Sequence, residues 1–121
     1  MPRKFVKSFE YALDGIRYIV ATQRNMRIHL IVGCGAIALS AILRVSLAEF
    51  AIVTFAVFLV MITEMLNTAI EEAINLLFKQ HNLHAKLAKD IAAAATLFAG
   101  LCAIIIGCLV LLPRIIPLLI R

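Results

Sequence analysis

Three long apolar runs constrain this chain more than any other feature of its sequence. They begin after His29, at Phe50 and after Asp90, and each approaches the ~20 residues that an α-helix needs to cross the hydrocarbon core of a bilayer. The chain of 121 residues is 64% hydrophobic, which is more apolar surface than a water-soluble fold of this length can bury. The excess must face lipid, so we predict an all-α membrane protein with three transmembrane helices. The predicted spans are about 28–47, 50–70 and 91–112.

The segment before the first span predicts a further helix at the membrane surface. Residues 5–21 place apolar side chains, including Phe5 and Phe9, at helical spacing, while most charged side chains lie elsewhere. This pattern is typical of an amphipathic helix in the interface plane, and an ordinary helix packed on protein is the alternative. The three spans and this helix account for most of the chain, so we expect a single domain over 1–121.

The distribution of basic side chains predicts the orientation in the membrane. The net charge is +5, but the Lys and Arg residues flank the spans, where anionic lipid head groups are their natural neighbours. Nucleic-acid binding is therefore not expected. Only Arg44, Arg114 and Arg121 lie on the side opposite the N-terminus, so the positive-inside rule predicts a cytoplasmic N-terminus and an external C-terminus.

Residue types at the ends of the spans predict where the helices begin and end. The short link between Arg44 and Glu49 indicates that the first two spans are antiparallel. Asn82 is a suitable N-cap for the third helix. Pro113 and Pro117 are predicted to end that helix, because proline cannot donate a backbone hydrogen bond.

Polar residues interrupt the second span near its predicted cytoplasmic end. At 100° per residue, Glu64, Asn67, Glu71 and Asn75 fall within about 60° of one another and form one polar stripe, whereas Glu72 points away from it. A charge at the bilayer centre costs on the order of 2.5–3.5 kcal/mol, so the stripe should face protein, water or a metal. Glu71, Glu72 and Asn75 have an alternative interpretation, as a solvated helix end beyond the membrane.

Aligned carboxylates beside a basic loop favour a divalent cation and a phosphate ester. Mg²⁺ prefers carboxylate oxygens and shares its remaining positions with substrate phosphates. Lys86 and Lys89 could neutralise phosphate charge, and Asp90 follows directly. The sequence has neither a Walker motif nor a kinase-type glycine loop. Small residues along the third span, such as Ala92 and Ala99, permit close helix approach and favour oligomerisation.

Two segments resemble the signature of the prokaryotic diacylglycerol kinase family, which includes the undecaprenol kinases. They are Glu64-Met-Leu-Asn67-Thr-Ala-Ile-Glu71 and Ala85-Lys-Leu-Ala-Lys89-Asp90-Ile-Ala-Ala-Ala-Ala, and the resemblance covers nearly the whole chain. It implies a homotrimer of three-span protomers with a surface helix, in the bacterial inner (plasma) membrane. The implied reaction uses Mg²⁺ and transfers the γ-phosphoryl group of ATP to the hydroxyl of diacylglycerol or undecaprenol at the cytoplasmic surface.

The resemblance also implies roles for individual residues. Glu64 would be the general base on the lipid hydroxyl, and Glu64 and Asn67 would bind the lipid substrate. Glu71 would hold the Mg²⁺ that bridges the ATP phosphates. The nucleotide-binding residues implied in this way are Gln23, Asn67, Glu71, Lys89 and Asp90.

Two positions depart from the family pattern. Gln23 stands where many members have a Glu as a second metal ligand; its amide oxygen can still coordinate, but one negative charge is lost, which should weaken metal binding. Asn75 replaces a common Asp. The choice between diacylglycerol and undecaprenol stays open, because the lipid contacts are generic apolar positions.

Two other classes of function remain as alternatives. In a small oligomeric transporter, Glu64 would be a membrane-embedded proton or cation site. In a structural subunit without a ligand, the polar stripe would only specify assembly.

Overall fold

The computed structural model describes residues 2–121 and contains four α-helices in that range. They are α1 (Pro2–Thr22), α2 (Arg24–Ile42), α3 (Leu47–Leu77) and α4 (Leu83–Leu119). The last three are long and apolar enough to cross a bilayer, which indicates a multi-pass membrane protein and confirms the all-α class. Helix α1 contains the whole of 5–21, the segment for which the sequence predicts a surface helix.

A single residue, Gln23, separates α1 from α2. Its backbone is extended, with φ −104° and ψ 111°, and its side chain makes no capping hydrogen bond. Helix α2 therefore begins at Arg24, earlier than the predicted span at 28, and its first turn is polar. The Gln23 amide is left free to bind another group.

The turn between α2 and α3 begins before the predicted end of the first span at residue 47. Helix α2 ends at Ile42, and Arg44 adopts a left-handed backbone with φ 52°. Ser46 then caps α3, because its hydroxyl accepts a hydrogen bond from the Glu49 backbone N–H at 3.2 Å. This cap satisfies one of the free donors at the start of α3, so residues 43–46 form a turn instead of further helix.

Helices α3 and α4 are antiparallel, and two polar contacts at opposite ends fix their register. Near the predicted outer surface, Arg114 Nη2 lies 2.7 Å from Glu49 Oε2. At the other end, Lys89 Nζ donates to Asn75 Oδ1. Counting inward from the two contacts places Glu64 of α3 level with Ala99 or Gly100 of α4. The two contacts therefore define which residues of α3 and α4 lie at the same depth.

The structure confirms the predicted start of α4 but not its predicted end. Asn82 is confirmed as the N-cap, since its Oδ1 accepts hydrogen bonds from the backbone N–H groups of His84 at 2.9 Å and Ala85 at 3.1 Å. The prediction that prolines end the helix was wrong, because α4 continues through Pro113 and Pro117 to Leu119. Arg114 Nη1 donates to the Val110 carbonyl at 3.1 Å.

Small side chains allow α3 and α4 to pack closely. Ala85, Ala92 and Ala99 are buried on α4, and the seven-residue spacing puts them on one face. Part of the small-residue surface that the sequence assigns to oligomerisation is therefore used within the chain. Large apolar side chains such as Phe55 and Phe98 are exposed, as expected for a surface that contacts lipid or another protomer.

Helix α2 approaches α3 closely at Gly33. A Cβ atom added there would lie 2.5 Å from Val57 Cγ1, whereas a Cβ at Gly35 would meet nothing within 4 Å. Valine has little rotamer freedom in a helix, so we expect Gly33→Ala to destabilise the protein by about 1–3 kcal/mol, as overpacking does. Thermal unfolding in detergent measures this loss. Gly35→Ala is the matched control and should be neutral or slightly stabilising, and a Gly33→Ala variant as stable as Gly35→Ala would contradict the close contact.

Candidate active site

Glu64 is a buried carboxylate in the middle of the helical bundle. Its exposed fraction is 2%, so this member of the polar stripe faces protein and not lipid. Oε2 of Glu64 lies 3.7 Å from Nε2 of His29 on α2. Burying a carboxylate is costly without a partner of opposite charge, and His29 provides that partner when it is protonated.

A chamber of about 390 Å³ opens beside Glu64, between α2, α3 and α4. Among the described residues that line it, Glu64 and His29 are the only ionisable ones. The other polar lining residues are Asn25, Asn67 and Thr96, and the remaining wall is apolar or glycine. The chamber therefore holds one acid, one imidazole and three neutral polar side chains in largely apolar surroundings.

An apolar groove of about 470 Å³ continues from the chamber toward the opposite side of the membrane. The two cavities share His29, Gly100 and Ile104, and the groove then follows Val53 and other apolar residues. A long hydrocarbon chain in this groove would present its polar end to Glu64. The combined cavity thus suits an amphiphile better than a fully water-soluble ligand.

Asn67 also lines the chamber, and its side chain lacks a partner. Its Oδ1 atom is buried without a hydrogen bond among residues 2–121. Leaving a buried acceptor unpaired costs about 1–3 kcal/mol. Such a group in a cavity wall beside Glu64 is well placed to bind a ligand's hydroxyl.

The polar stripe continues along α3 to Glu71, which is half-buried. The next residue, Glu72, points away and accepts a hydrogen bond from the Tyr18 hydroxyl of α1 at 3.1 Å. This hydrogen bond and the charge of the Glu72 carboxylate raise the pKa of Tyr18 above its usual value, so the phenol remains a donor. The contact fastens the end of α1 to α3 close to Glu71.

Lys89 and Asp90 have different surroundings at the start of α4. Lys89 is half-buried and reaches across to Asn75 of α3. Asp90 instead pairs with Lys86 at 2.7 Å, and both of those side chains are more than half exposed. The structure thus brings Lys89 to the polar stripe and leaves Asp90 at the surface.

Comparison with known proteins decides the family. The model for the prokaryotic diacylglycerol kinase family matches residues 10–111. The chain belongs to this family. The resemblance seen in the sequence is therefore confirmed, and the match spans the chamber and the polar stripe.

Two curated relatives carry different substrate names. A diacylglycerol kinase of Synechocystis sp. is 43% identical over 115 residues, which are 93% of this chain and 65% of the relative. An undecaprenol kinase of Bacillus subtilis is 34% identical over 112 residues, which are 93% of this chain and 91% of the relative. The chain thus spans slightly less than two thirds of the Synechocystis protein and most of the Bacillus protein.

Kinases of this family imply a divalent cation, and the available donors fit Mg²⁺. In the part of the chain that the structure describes, no three His, Cys, Asp or Glu side chains form a metal cluster. Mg²⁺ commonly binds one or two protein carboxylates and takes its other oxygens from phosphates and water. Glu71 offers one carboxylate and the uncapped Gln23 one amide oxygen, which suits a site completed by substrate. No hydrogen bond joins these two side chains within residues 2–121.

Three polar residues of the chamber carry no role in the sequence-based predictions: Asn25, His29 and Thr96. Asn25 and His29 are four residues apart on α2, so they share a face, and both precede the apolar run of that helix. Their spacing alone could have indicated a polar face turned toward the second span. Thr96 gives no such signal, because an isolated threonine in an apolar helix usually bonds its own backbone.

Proposed function

We propose that this chain is a Mg²⁺- and ATP-dependent lipid kinase. It transfers the γ-phosphoryl group of ATP to the hydroxyl of diacylglycerol or undecaprenol at the cytoplasmic surface of the membrane. The observation that carries the proposal is the position of Glu64, a buried carboxylate where an apolar groove meets a polar chamber. Family membership supports the same class of reaction.

Glu64 acts as the general base in this reaction. The lipid chain lies in the groove, and its hydroxyl reaches Glu64 and the unpaired Asn67 oxygen. Glu64 takes the hydroxyl proton as the lipid oxygen attacks phosphorus, and Asn67 orients that hydroxyl. A positioned base of this kind typically contributes 10²–10⁴-fold to the rate. His29, whose Nε2 lies 3.7 Å from Oε2 of Glu64, helps to orient the Glu64 carboxylate before the substrate arrives.

The nucleotide lies on the cytoplasmic side of Glu64. Glu71 and Gln23 would hold Mg²⁺, which would neutralise negative charge on the ATP phosphates. Lys89 contacts the phosphates from α4. Asp90 gives up its exposed contact with Lys86 and contacts the nucleotide instead. The exposed state of that ion pair supports such an exchange, because surface pairs are worth only about 0–1 kcal/mol.

The active protein is a homotrimer in the bacterial plasma membrane. Its N-terminus is cytoplasmic and its C-terminus is outside, in agreement with the Lys and Arg distribution. Helix α1 lies in the cytoplasmic interface, which is supported by its exposed Phe5 and Phe9 side chains. Neighbouring protomers cover the open side of the chamber.

A labelled-ATP assay tests the proposal with both lipids offered side by side. Purified protein in detergent micelles should move ³²P from γ-labelled ATP to diacylglycerol, undecaprenol or both, and chelation of Mg²⁺ should abolish the transfer. Absence of labelled lipid with either alcohol would contradict the kinase proposal. Movement of solute across vesicles without ATP consumption would instead support a transporter with Glu64 as its ion site.

A further inference from the structure

Thr96 is an exception among the hydroxyl side chains of this protein. Residues 2–121 contain eight serines and threonines, and seven of them are hydrogen-bonded. Ser46 caps α3, and six donate to a carbonyl three or four residues earlier in their own helix, namely Ser8, Thr22, Ser40, Thr54, Thr63 and Thr68. The Thr96 hydroxyl oxygen is buried and has no partner.

The absence of the usual backbone bond points to a ligand. A helical threonine ordinarily satisfies its hydroxyl on the preceding turn, and leaving it unpaired in a buried position is costly. Thr96 also lines the chamber that contains Glu64. Thr96 therefore combines two independent features: its hydroxyl is unpaired, and it lines the chamber.

The register of α3 and α4 gives the depth of Thr96. The Glu49–Arg114 contact places Thr96 level with Asn67, and the Asn75–Lys89 contact places it level with Thr68. This level is three to four residues, or about 5–6 Å, from Glu64 toward the cytoplasmic end. Glu71 lies about 5 Å further in the same direction. Thr96 is thus at an intermediate depth between the proposed base and the proposed metal ligand.

We propose that Thr96 is a further catalytic residue, which donates its hydroxyl to an equatorial oxygen of the transferring phosphoryl group. The inference rests on the proposed kinase function. The lipid oxygen forms a bond to phosphorus, the bond from phosphorus to the bridging oxygen of ADP breaks, and the lipid proton moves to Glu64. Thr96 keeps its own proton and stabilises negative charge on the three equatorial oxygens.

The depth of Thr96 favours the phosphoryl group, and not the ester groups of a glycerolipid, as the acceptor of its hydroxyl. Those esters lie on the hydrocarbon side of the reacting hydroxyl, and the groove places hydrocarbon on the opposite side of Glu64 from Thr96. A contact to the phosphoryl group is shared by every lipid substrate. The hydroxyl should therefore affect turnover equally with diacylglycerol and undecaprenol.

Thr96→Val tests this role, because valine keeps the shape and removes the donor. We expect kcat to fall about 10–100-fold with each lipid that the wild-type protein phosphorylates, because one hydrogen-bond donor to the transition state is lost. KM for the lipid should stay unchanged. Thr96→Ser should retain activity within about threefold of wild type, because it keeps the donor. Thr54→Val, which removes a hydroxyl already bonded to Phe50, is the matched control and should leave kcat unchanged.

Nucleotide binding gives a second readout that does not depend on turnover. Calorimetric titration with Mg²⁺ should show that Thr96→Val weakens binding of a non-hydrolysable ATP analogue but not of ADP. Unchanged kcat in Thr96→Val, or a loss confined to one lipid, would overturn the proposal. Equal weakening of ATP-analogue binding and ADP binding in Thr96→Val would also overturn it. So would equal losses of kcat in Thr96→Val and Thr96→Ser. Failure of the wild-type protein to phosphorylate any lipid would instead refute the kinase function itself.

Discussion

Replacement of Glu64 by glutamine should lower kcat for lipid phosphorylation by about 10²–10⁴-fold, the range expected when a general base is removed. Glutamine has nearly the same size and can still bind a hydroxyl, but it cannot accept the proton. Because Glu64 is 2% exposed, water cannot easily take over its role. The effect is measured as the rate of ³²P transfer from ATP to lipid at saturating concentrations of both substrates.

Folding must be intact for that result to be informative. Because removing one partner of a buried ion pair can destabilise a protein, the thermal unfolding midpoint of Glu64→Gln is measured beside the rate, and only folded protein is assayed. Glu10→Gln is the matched control, because it changes an exposed carboxylate on α1 and should leave the rate unchanged. If Glu64→Gln keeps more than about a tenth of the wild-type kcat, which is well outside the range for a lost base, Glu64 is not the base.

Replacement of Glu71 by glutamine should raise the Mg²⁺ concentration for half-maximal activity by at least about tenfold, because hard cations prefer charged carboxylate oxygens. Gln23 contributes only a neutral oxygen, so Glu71 carries the only negative charge of the proposed ligand pair. The reverse change, Gln23→Glu, should lower the Mg²⁺ requirement by adding a second carboxylate. Initial rates across a Mg²⁺ titration at fixed ATP measure both effects.

Glu72→Gln separates a ligand effect from a general loss of negative charge. Glu72 is adjacent to Glu71 but turns outward to Tyr18, so its replacement should leave the Mg²⁺ requirement unchanged. An equal rise in Glu71→Gln and Glu72→Gln would indicate a diffuse electrostatic effect. A Glu71→Gln protein with the wild-type Mg²⁺ requirement would remove Glu71 from the metal site.

Much of the fold could be predicted from sequence because lipid imposes simple rules. Apolar length alone locates three helices, since every backbone polar group in the bilayer must be bonded internally. The Asn82 cap could also be predicted, because capping depends on a local side-chain bond. The prolines of α4 were interpreted wrongly, because a transmembrane helix tolerates proline that would break a helix in water, and α4 continues through both of them.

The candidate site was predictable where residues share one helix. Helical periodicity put Glu64, Asn67 and Glu71 on one stripe, and in the structure Glu64 and Asn67 line the same chamber. Residues contributed by other helices were not predictable, because the approach of His29 to Glu64 depends on how α2 packs against α3. The roles of all the predicted site residues remain predictions that rest on family resemblance, namely those of Gln23, Glu64, Asn67, Glu71, Lys89 and Asp90.

A structure of the protein with Mg²⁺, a non-hydrolysable ATP analogue and a lipid alcohol tests the central claim most directly. We expect the lipid oxygen within hydrogen-bond reach of Glu64, about 2.6–3.2 Å, with the hydrocarbon in the apolar groove and the γ-phosphate on the Glu71 side. A lipid hydroxyl bound away from Glu64, with acyl chain or nothing beside that carboxylate, would contradict the assignment.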